Sequence, residues 1–498
     1  MKRKITSVLQ SWKNDVDRKG LIIHGSRQIG KTYSIDEFGR ANYKNYLRID
    51  FSTNPDAKGL FAGDISADRL IRSLQIFYPD FKVERGDSLL FLDEIQLCDD
   101  ARCALKPLVV DGRLDVVASG SLLGVMGLKR SENEGIFGRR DDWTGKEASG
   151  GCHVSPLGYE RLVRMYPMDF EEYLWANGIS EEAVSEIRDC ISKREPLQEP
   201  ILDRLNELYR QYLIVGGMPN AVKNAIAGRY DEVLTEQKAL LEGYRTDVLT
   251  YAPRNLRIRI ADCIESIPRQ MKRGSRKFSY SEMSSGGNEG WREYAEPLTW
   301  LDAAGYITCV NGLTEPVRPL DMSIGRHFKL FFCDTGLLMP YLDDADRLAL
   351  YSGDASINEG AMAEASVATM LERSGVGTYF FERDRNEERK VDRIEIDFVT
   401  SIGTDLMAIE VKSGKKRRCP SLNKLMASPS YSIYRFTRFV MLGNTNIFVD
   451  DKGVEHYPLF AAAFADSMSE PVVIGLKNHR RGLEGLAPLG ITSSSSGR

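Results

Sequence analysis

Leu21-Ile-Ile-His-Gly-Ser-Arg-Gln-Ile-Gly-Lys-Thr-Tyr-Ser34 is the stretch on which the fold turns. Leu21, Ile22 and Ile23 make a short unbroken apolar run, the pattern of a strand buried on both faces of a parallel sheet. Gly25-Ser26-Arg27-Gln28-Ile29-Gly30-Lys31-Thr32 follows and satisfies G-x-x-x-x-G-K-[ST] in full. Glycines let the backbone curl until its N–H groups converge on phosphate oxygens, and the helix that follows adds its positive end. In such a loop Lys31 reaches the β- and γ-phosphates and the Thr32 hydroxyl ligates Mg²⁺, so ATP and Mg²⁺ are the expected ligands. A chance glycine loop before a helix is the alternative; the apolar strand in front and the Lys-Thr pair behind argue against it.

Two more strands extend the pattern. Ser88-Leu-Leu-Phe-Leu-Asp93-Glu94 is an apolar strand ending in two carboxylates. Asp93 is expected to hold Mg²⁺ through its outer shell and Glu94 to polarise the attacking water, with a solvated acidic turn as the alternative. Leu114-Asp-Val-Val-Ala118 runs into Ser119-Gly120-Ser121. A polar residue there, Ser119 or Ser121, can sense the γ-phosphate, although Ser-Gly is equally a common turn. The three strands together describe an α/β nucleotide-binding domain with its ligand at the carboxyl ends of the strands.

Composition bounds the rest. A chain of 498 residues suggests roughly three domains. Hydrophobic residues at 42% and charged residues at 28% describe an ordinary globular protein. The net charge of -4 excludes a protein that coats nucleic acid over its whole surface, while leaving room for a local basic patch. Eight cysteines without a CxxC pair, and five histidines without a cysteine cluster, exclude a zinc site and fit a reducing compartment. Met1–Asp15 lacks the apolar stretch of a secretory signal, and no run approaches the ~20 apolar residues that span a bilayer. A cytoplasmic location and no membrane partner are expected.

The phosphate loop resembles the G-x-R-Q-x-G-K-T loop of a prokaryotic family of AAA-type ATPases, in which an N-terminal ATPase is joined to a C-terminal domain of unknown function. Leu92–Gln96, Met165–Tyr173, Tyr212–Pro219 and Phe328–Leu338 also match the family pattern, in its order, and the likeness runs from about Trp12 to about Phe439. It implies ATP binding and hydrolysis, without supplying a biological role. Enzymes of this type usually take an arginine finger from a neighbouring subunit or domain, which leaves room for a homo-oligomer. Arg139, Arg140 and Arg161 are candidates by position only, and none is assigned.

Residues 1–168 are expected to form the ATPase core and 169–243 a helical lid, clearest in the helical spacing of Ile201–Leu213. Gly216-Gly217-Met-Pro219 should end one helix and open the next. For 244–350 the resemblance implies a winged-helix-like domain, and Trp300–Val310 reads as a helix, a glycine stop and a strand. Lys272, Arg273, Arg276 and Lys277 beside Phe278 and Tyr280 suit a nucleic-acid backbone, or simply a solvated loop.

Residues 351–465 carry a helix, Gly360–Leu371, before two strands, Arg393–Thr400 and Leu406–Lys412. Strict alternation puts Ile394, Ile396 and Phe398 on one face and Asp397 on the other. This unit resembles the PD-(D/E)xK nuclease fold, an α/β restriction-endonuclease-like domain, with Asp397 as the aspartate, Glu410-Val-Lys412 as E-x-K and Glu364 as the helical glutamate. Ile396 stands where the motif has proline. Asp397 and Glu410 would hold Mg²⁺ and Lys412 would offset charge on the phosphate. Lys412, Lys415, Lys416, Arg417 and Arg418 would attract DNA or RNA. An exposed strand edge guarded by charge is the alternative. Residues 466–498, rich in Gly, Ser and Arg, read as a disordered tail.

Overall fold

The computed structural model describes residues 1–120, 158–271, 291–352, 359–383, 393–414 and 418–468. Its N-terminal sheet has five parallel strands: β1 (Gly20–His24), β2 (Asn45–Asp50), β3 (Ser88–Asp93), β4 (Asp115–Gly120) and β5 (Glu160–Arg164). They lie in the order β2-β3-β4-β1-β5, so β4 separates the phosphate-loop strand from the strand that ends in Asp93. The unbroken apolar runs have a simple cause, since helices cover both faces. Leu21, Ile23, Leu89, Phe91 and Val117 pack under the helix Lys31–Asn42 through Ile35 and Phe38. Ile22, Leu90, Leu92, Val116 and Ala118 pack under Ala67–Phe77 and Asp99–Asp111. Each fully buried Leu, Ile, Val or Phe among them contributes roughly 1.5–3 kcal/mol.

After β5 the chain is helical. Asp169 opens the helix Phe170–Ala176 with a capping box shared with Glu172. Glu181–Lys193, Glu199–Val215 and Pro219–Ile226 follow, and Pro219 stands at the first helical position, as its missing N–H allows. The next helix, Tyr230–Tyr251, runs through the expected 243/244 boundary without a break.

Strands β6 (Ile307–Leu313), β7 (Ile324–Phe332), β8 (Thr378–Arg383), β9 (Ile394–Ile402), β10 (Asp405–Lys412), β11 (Arg438–Gly443), β12 (Phe448–Val449) and β13 (Glu455–Pro458) form one mixed sheet, ordered β12-β13-β11-β10-β9-β8-β6-β7. The β6–β7 hairpin follows the helix Trp291–Ala304. It does not stand free, because β6 pairs in parallel with β8 from Asn311–Tyr379 to Leu313–Phe381. The expected boundary at 350 therefore falls inside one sheet.

Strict alternation fails in β9. Tyr379 of β8 faces Val399, but Phe381 faces Ile396, so three steps on β9 oppose two on β8. This is a β-bulge. Ile394, Ile396 and Val399 pack with Leu406, Ala408 and Leu422, whereas Phe398 packs on the opposite face with Met407 and Ile409. Phe398 thus leaves the face it was expected to share with Ile396. The helix Glu359–Arg373 covers the Met407 and Ile409 face, and Pro420–Ala427 covers the other.

Asp466, Ser467 and Met468, expected in the tail, close the 3₁₀ segment Leu459–Ser467, whose Leu459–Ala465 are buried and whose Asp466 accepts from Arg188 at 2.9 Å. Residues 469–498 lie outside the described residues. Among the described residues no helix is long and apolar enough to cross a membrane.

Candidate functional sites

The phosphate loop leaves β1 after His24, whose strand neighbours are Gly120 of β4 and Arg164 of β5. Gly30 caps the helix Lys31–Asn42 with φ 92°, a conformation costly for any residue with a Cβ. Gly25 is fixed by close approach, since a Cβ there would collide with the Met165 carbonyl. Lys31 Nζ donates to the carbonyls of Gly25 at 2.9 Å and Ser26 at 2.7 Å, so the loop curls around its own lysine. Burial pushes the Lys31 amine down to about 8, against the opposing pull of Glu94 and Asp93.

Thr32 Oγ1 donates to Asp93 Oδ1 at 3.2 Å, which joins the two expected Mg²⁺ residues across 61 positions of sequence. Ser119 Oγ donates to the same oxygen, so this hydroxyl serves Asp93. Ser121, Arg139 and Arg140 lie outside the described residues. Arg161 pairs with Leu21 near the start of β5, away from the loop. Glu94 follows Asp93 in a left-handed conformation, φ 54°, and its Oε2 accepts from Gln96 Nε2. Arg27, Gln28, Gly30, Lys31, Thr32 and Glu94 line a cavity of about 880 Å³, within the range of ligand pockets.

Two arginines of this site escaped the sequence. Arg48 Nη2 donates to Asp93 Oδ2 at 2.7 Å, and the same guanidinium reaches Asp36 and Asp50. An Arg and an Asp two positions apart in an apolar strand was the available signal. Arg3 is buried and donates from Nη1 to the Ile29 carbonyl at 2.5 Å and from Nη2 to the Tyr166 carbonyl at 2.7 Å. Its Nε lies 3.0 Å from Glu172 Oε1. Nothing local marks Arg3, because its partners are 26 to 169 residues away.

At the other sheet, β9 and β10 pair from Asp405–Ile402 to Ile409–Phe398 and then part. At the divergence Asp397 Oδ2 accepts from the Val411 N–H at 2.9 Å. Lys412 Nζ is 2.6 Å from Glu410 Oε1, while Glu410 Oε2 is buried with no well-formed hydrogen bond among the described residues, the Leu422 N–H helping to hold the carboxylate charge. Burial raises the Glu410 carboxyl above its ordinary range, opposed by Lys412 and supported by Asp397. Lys412 is raised too: desolvation works against its charge, and Glu410 and Asp397 outweigh it. Asp397, Glu410 and Lys412 therefore come together.

Glu364 does not join them on their face of the sheet. Glu410 pairs with Met441, which packs with Ala408 against Pro420–Ala427, whereas Glu364 is on the helix covering the opposite face. There Lys329 Nζ bonds Glu364 Oε1 at 2.7 Å, both side chains being buried, with Lys329 over the rings of Phe380 and Phe398. The bulge that turns Phe398 to this face helps to build the pocket for Lys329. Among the described residues no group of three or more His, Cys, Asp or Glu is placed to hold a metal ion. The basic runs Lys272–Lys277, with Phe278 and Tyr280, and Lys415–Arg417 lie outside the described residues.

Residues 17–174 match the model of the AAA domain family, and residues 206–347 match a domain of unknown function (DUF8612). The unknown-function match thus lies mid-chain, on lid helices and the β6–β7 hairpin, rather than on the C-terminal strands β8–β13. Among solved structures the chain is similar to the Walker-type ATPase paby2304 of Pyrococcus abyssi, at 14% identity over 68% of this chain and 95% of that chain, TM-score 0.37. It is also similar to the Aeropyrum pernix ORC1 protein in complex with DNA, at 12% identity over 73% and 91% of the two chains, TM-score 0.26. No curated protein matches. The family match and the loop geometry together support nucleotide binding by a P-loop in residues 17–174.

Proposed function

We propose that this chain is a Mg²⁺-dependent ATPase whose C-terminal unit binds or cleaves nucleic acid. The observation that carries the ATPase half is the Lys31–Thr32–Asp93 convergence beside Glu94 at the carboxyl ends of β1 and β3. Mg²⁺, when bound with ATP, offsets phosphate charge and polarises the phosphoryl group. Thr32 would ligate it and Asp93 would hold its outer shell, fixed in turn by Ser119 and Arg48. Lys31 would leave the Gly25 and Ser26 carbonyls for the phosphates. Glu94, steadied by Gln96, would take the proton of the attacking water.

For the C-terminal half, a cation site is supported by two carboxylates, Asp397 and the buried Glu410, beside one lysine, because a buried carboxylate oxygen short of partners among the described residues is costly. Asp397 would share that cation and Lys412 would face the phosphodiester. A second reading, an ATP-dependent regulatory switch that binds a protein partner through an inert C-terminal unit, is favoured by one observation. Glu364 is engaged by Lys329 across the sheet, which leaves two carboxylates where three were expected.

Two variants test the halves separately. Glu94→Gln should retain bound ATP while turnover falls by about 10²-fold or more; unchanged turnover would remove Glu94 as the base. In a Mg²⁺-dependent assay on single- and double-stranded DNA and RNA, with and without ATP, Lys412→Ala should lose cleavage. Equal activity in both proteins, or none in either, would remove cleavage and leave nucleic-acid binding or the switch.

A further inference from the structure

The phosphate loop touches more than its own domain. Arg27, inside the loop, lies with Nε 2.7 Å from Asp247 Oδ2, on the helix Tyr230–Tyr251 within the stretch of unknown function. Asp247 is buried, while Arg27 is half-exposed and lines the nucleotide cavity. Tyr251, one turn beyond Asp247, lines the same cavity, so the helix passes along the loop. Tyr306 donates its hydroxyl to the same Asp247 oxygen and stacks on Tyr244, ring centroids 3.8 Å apart and 9° from parallel. The preceding residue, Gly305, presses on the loop: a Cβ there would lie 3.1 Å from the Ser26 nitrogen. Asp247, Tyr244, Gly305 and Tyr306 make one packed block against Gly25–Arg27.

We propose that Asp247 sets the nucleotide affinity of the loop by competing with the phosphates of ATP for Arg27. The inference rests on the nucleotide site described above and deepens it. Without nucleotide, the Asp247 carboxylate neutralises Arg27. A triphosphate brings several negative charges to the same loop, attracts Arg27 and repels Asp247, so the ion pair and full phosphate contact oppose each other. The buried carboxylate then keeps the Tyr306 hydroxyl but loses its contact with Arg27, while Lys31, which also pulls on it, turns to the phosphates; this loosens the block from the loop. The stretch of unknown function would in this way report which nucleotide is bound, since ADP carries less charge than ATP and breaks the pair less.

Affinities of the full chain for mant-ATP and mant-ADP test this. Asp247→Asn keeps the shape and an oxygen for Tyr306 but removes the charge. It should tighten ATP by about tenfold, or about 1.4 kcal/mol, and ADP by less. In an Arg27→Gln background the gain should shrink, because the competed-for cation is gone. Asp247→Ser serves as a second variant should Asn fold poorly, with circular dichroism as the control. Unchanged or weaker ATP binding in both Asp247 variants overturns the proposal, as does an equal gain for ADP. A wild type that binds no ATP overturns both this and the nucleotide site, which separates the two failures.

Discussion

The lysine of the phosphate loop should make ATP binding depend on pH in the range just above neutrality. Burial lowers the Lys31 amine to about 8 in the nucleotide-free protein. Bound phosphates favour the charged form and raise it again. The sign follows: below pH 8 Lys31 is already charged and affinity is full, and above it binding must take up a proton. With a free-state value of about 8, roughly 0.9 of the amines are charged at pH 7 and roughly 0.1 at pH 9. Affinity should therefore fall about tenfold between those two pH values, equivalent to about 1.4 kcal/mol. Isothermal titration calorimetry in two buffers of different ionisation heat reads the linkage directly. Proton uptake per ATP should rise from about 0.1 at pH 7 to about 0.9 at pH 9. Circular dichroism at the higher pH controls for unfolding. Flat affinity with no proton uptake there would refute the view that Lys31 sits desolvated against its own carbonyls.

Two further outcomes follow from buried charges. Arg3→Ala strips donors from the Ile29 and Tyr166 carbonyls and the counter-charge from Glu172, so ATP affinity should weaken by about tenfold or more, with partial rescue by Arg3→Lys; a mant-ATP titration reads both. Lys329→Met should cost about 3–5 kcal/mol in urea unfolding by leaving the buried Glu364 without that counter-charge, and adding Glu364→Leu should recover most of it.

The nucleotide domain was legible because its signals are local. Glycine spacing, the Lys-Thr pair and apolar strands ending in carboxylates each reflect backbone geometry within eight or so residues, so the two motifs by themselves imply that Thr32 and Asp93 meet at one phosphate site. β2 and β5 were harder, being short, partly exposed edge strands, and Arg48 and Arg3 act through partners brought near by folding alone. The C-terminal strands were legible for the same reason as the loop: Asp397, Glu410 and Lys412 meet because β9 and β10 are neighbours.

What sequence alone determined is the chemistry available on each strand, because residue type and periodicity are local properties. Tertiary structure decided which faces meet. An extra residue in β9 turns Phe398 away from Ile396, and a helix packed on the opposite face gives Glu364 to Lys329. Pairing of β6 with β8 merges two expected domains into one sheet, and the packing of Tyr230–Tyr251 along the loop gives Arg27 to Asp247. Each of these depends on contacts between residues far apart in the chain, where no local preference records the partner.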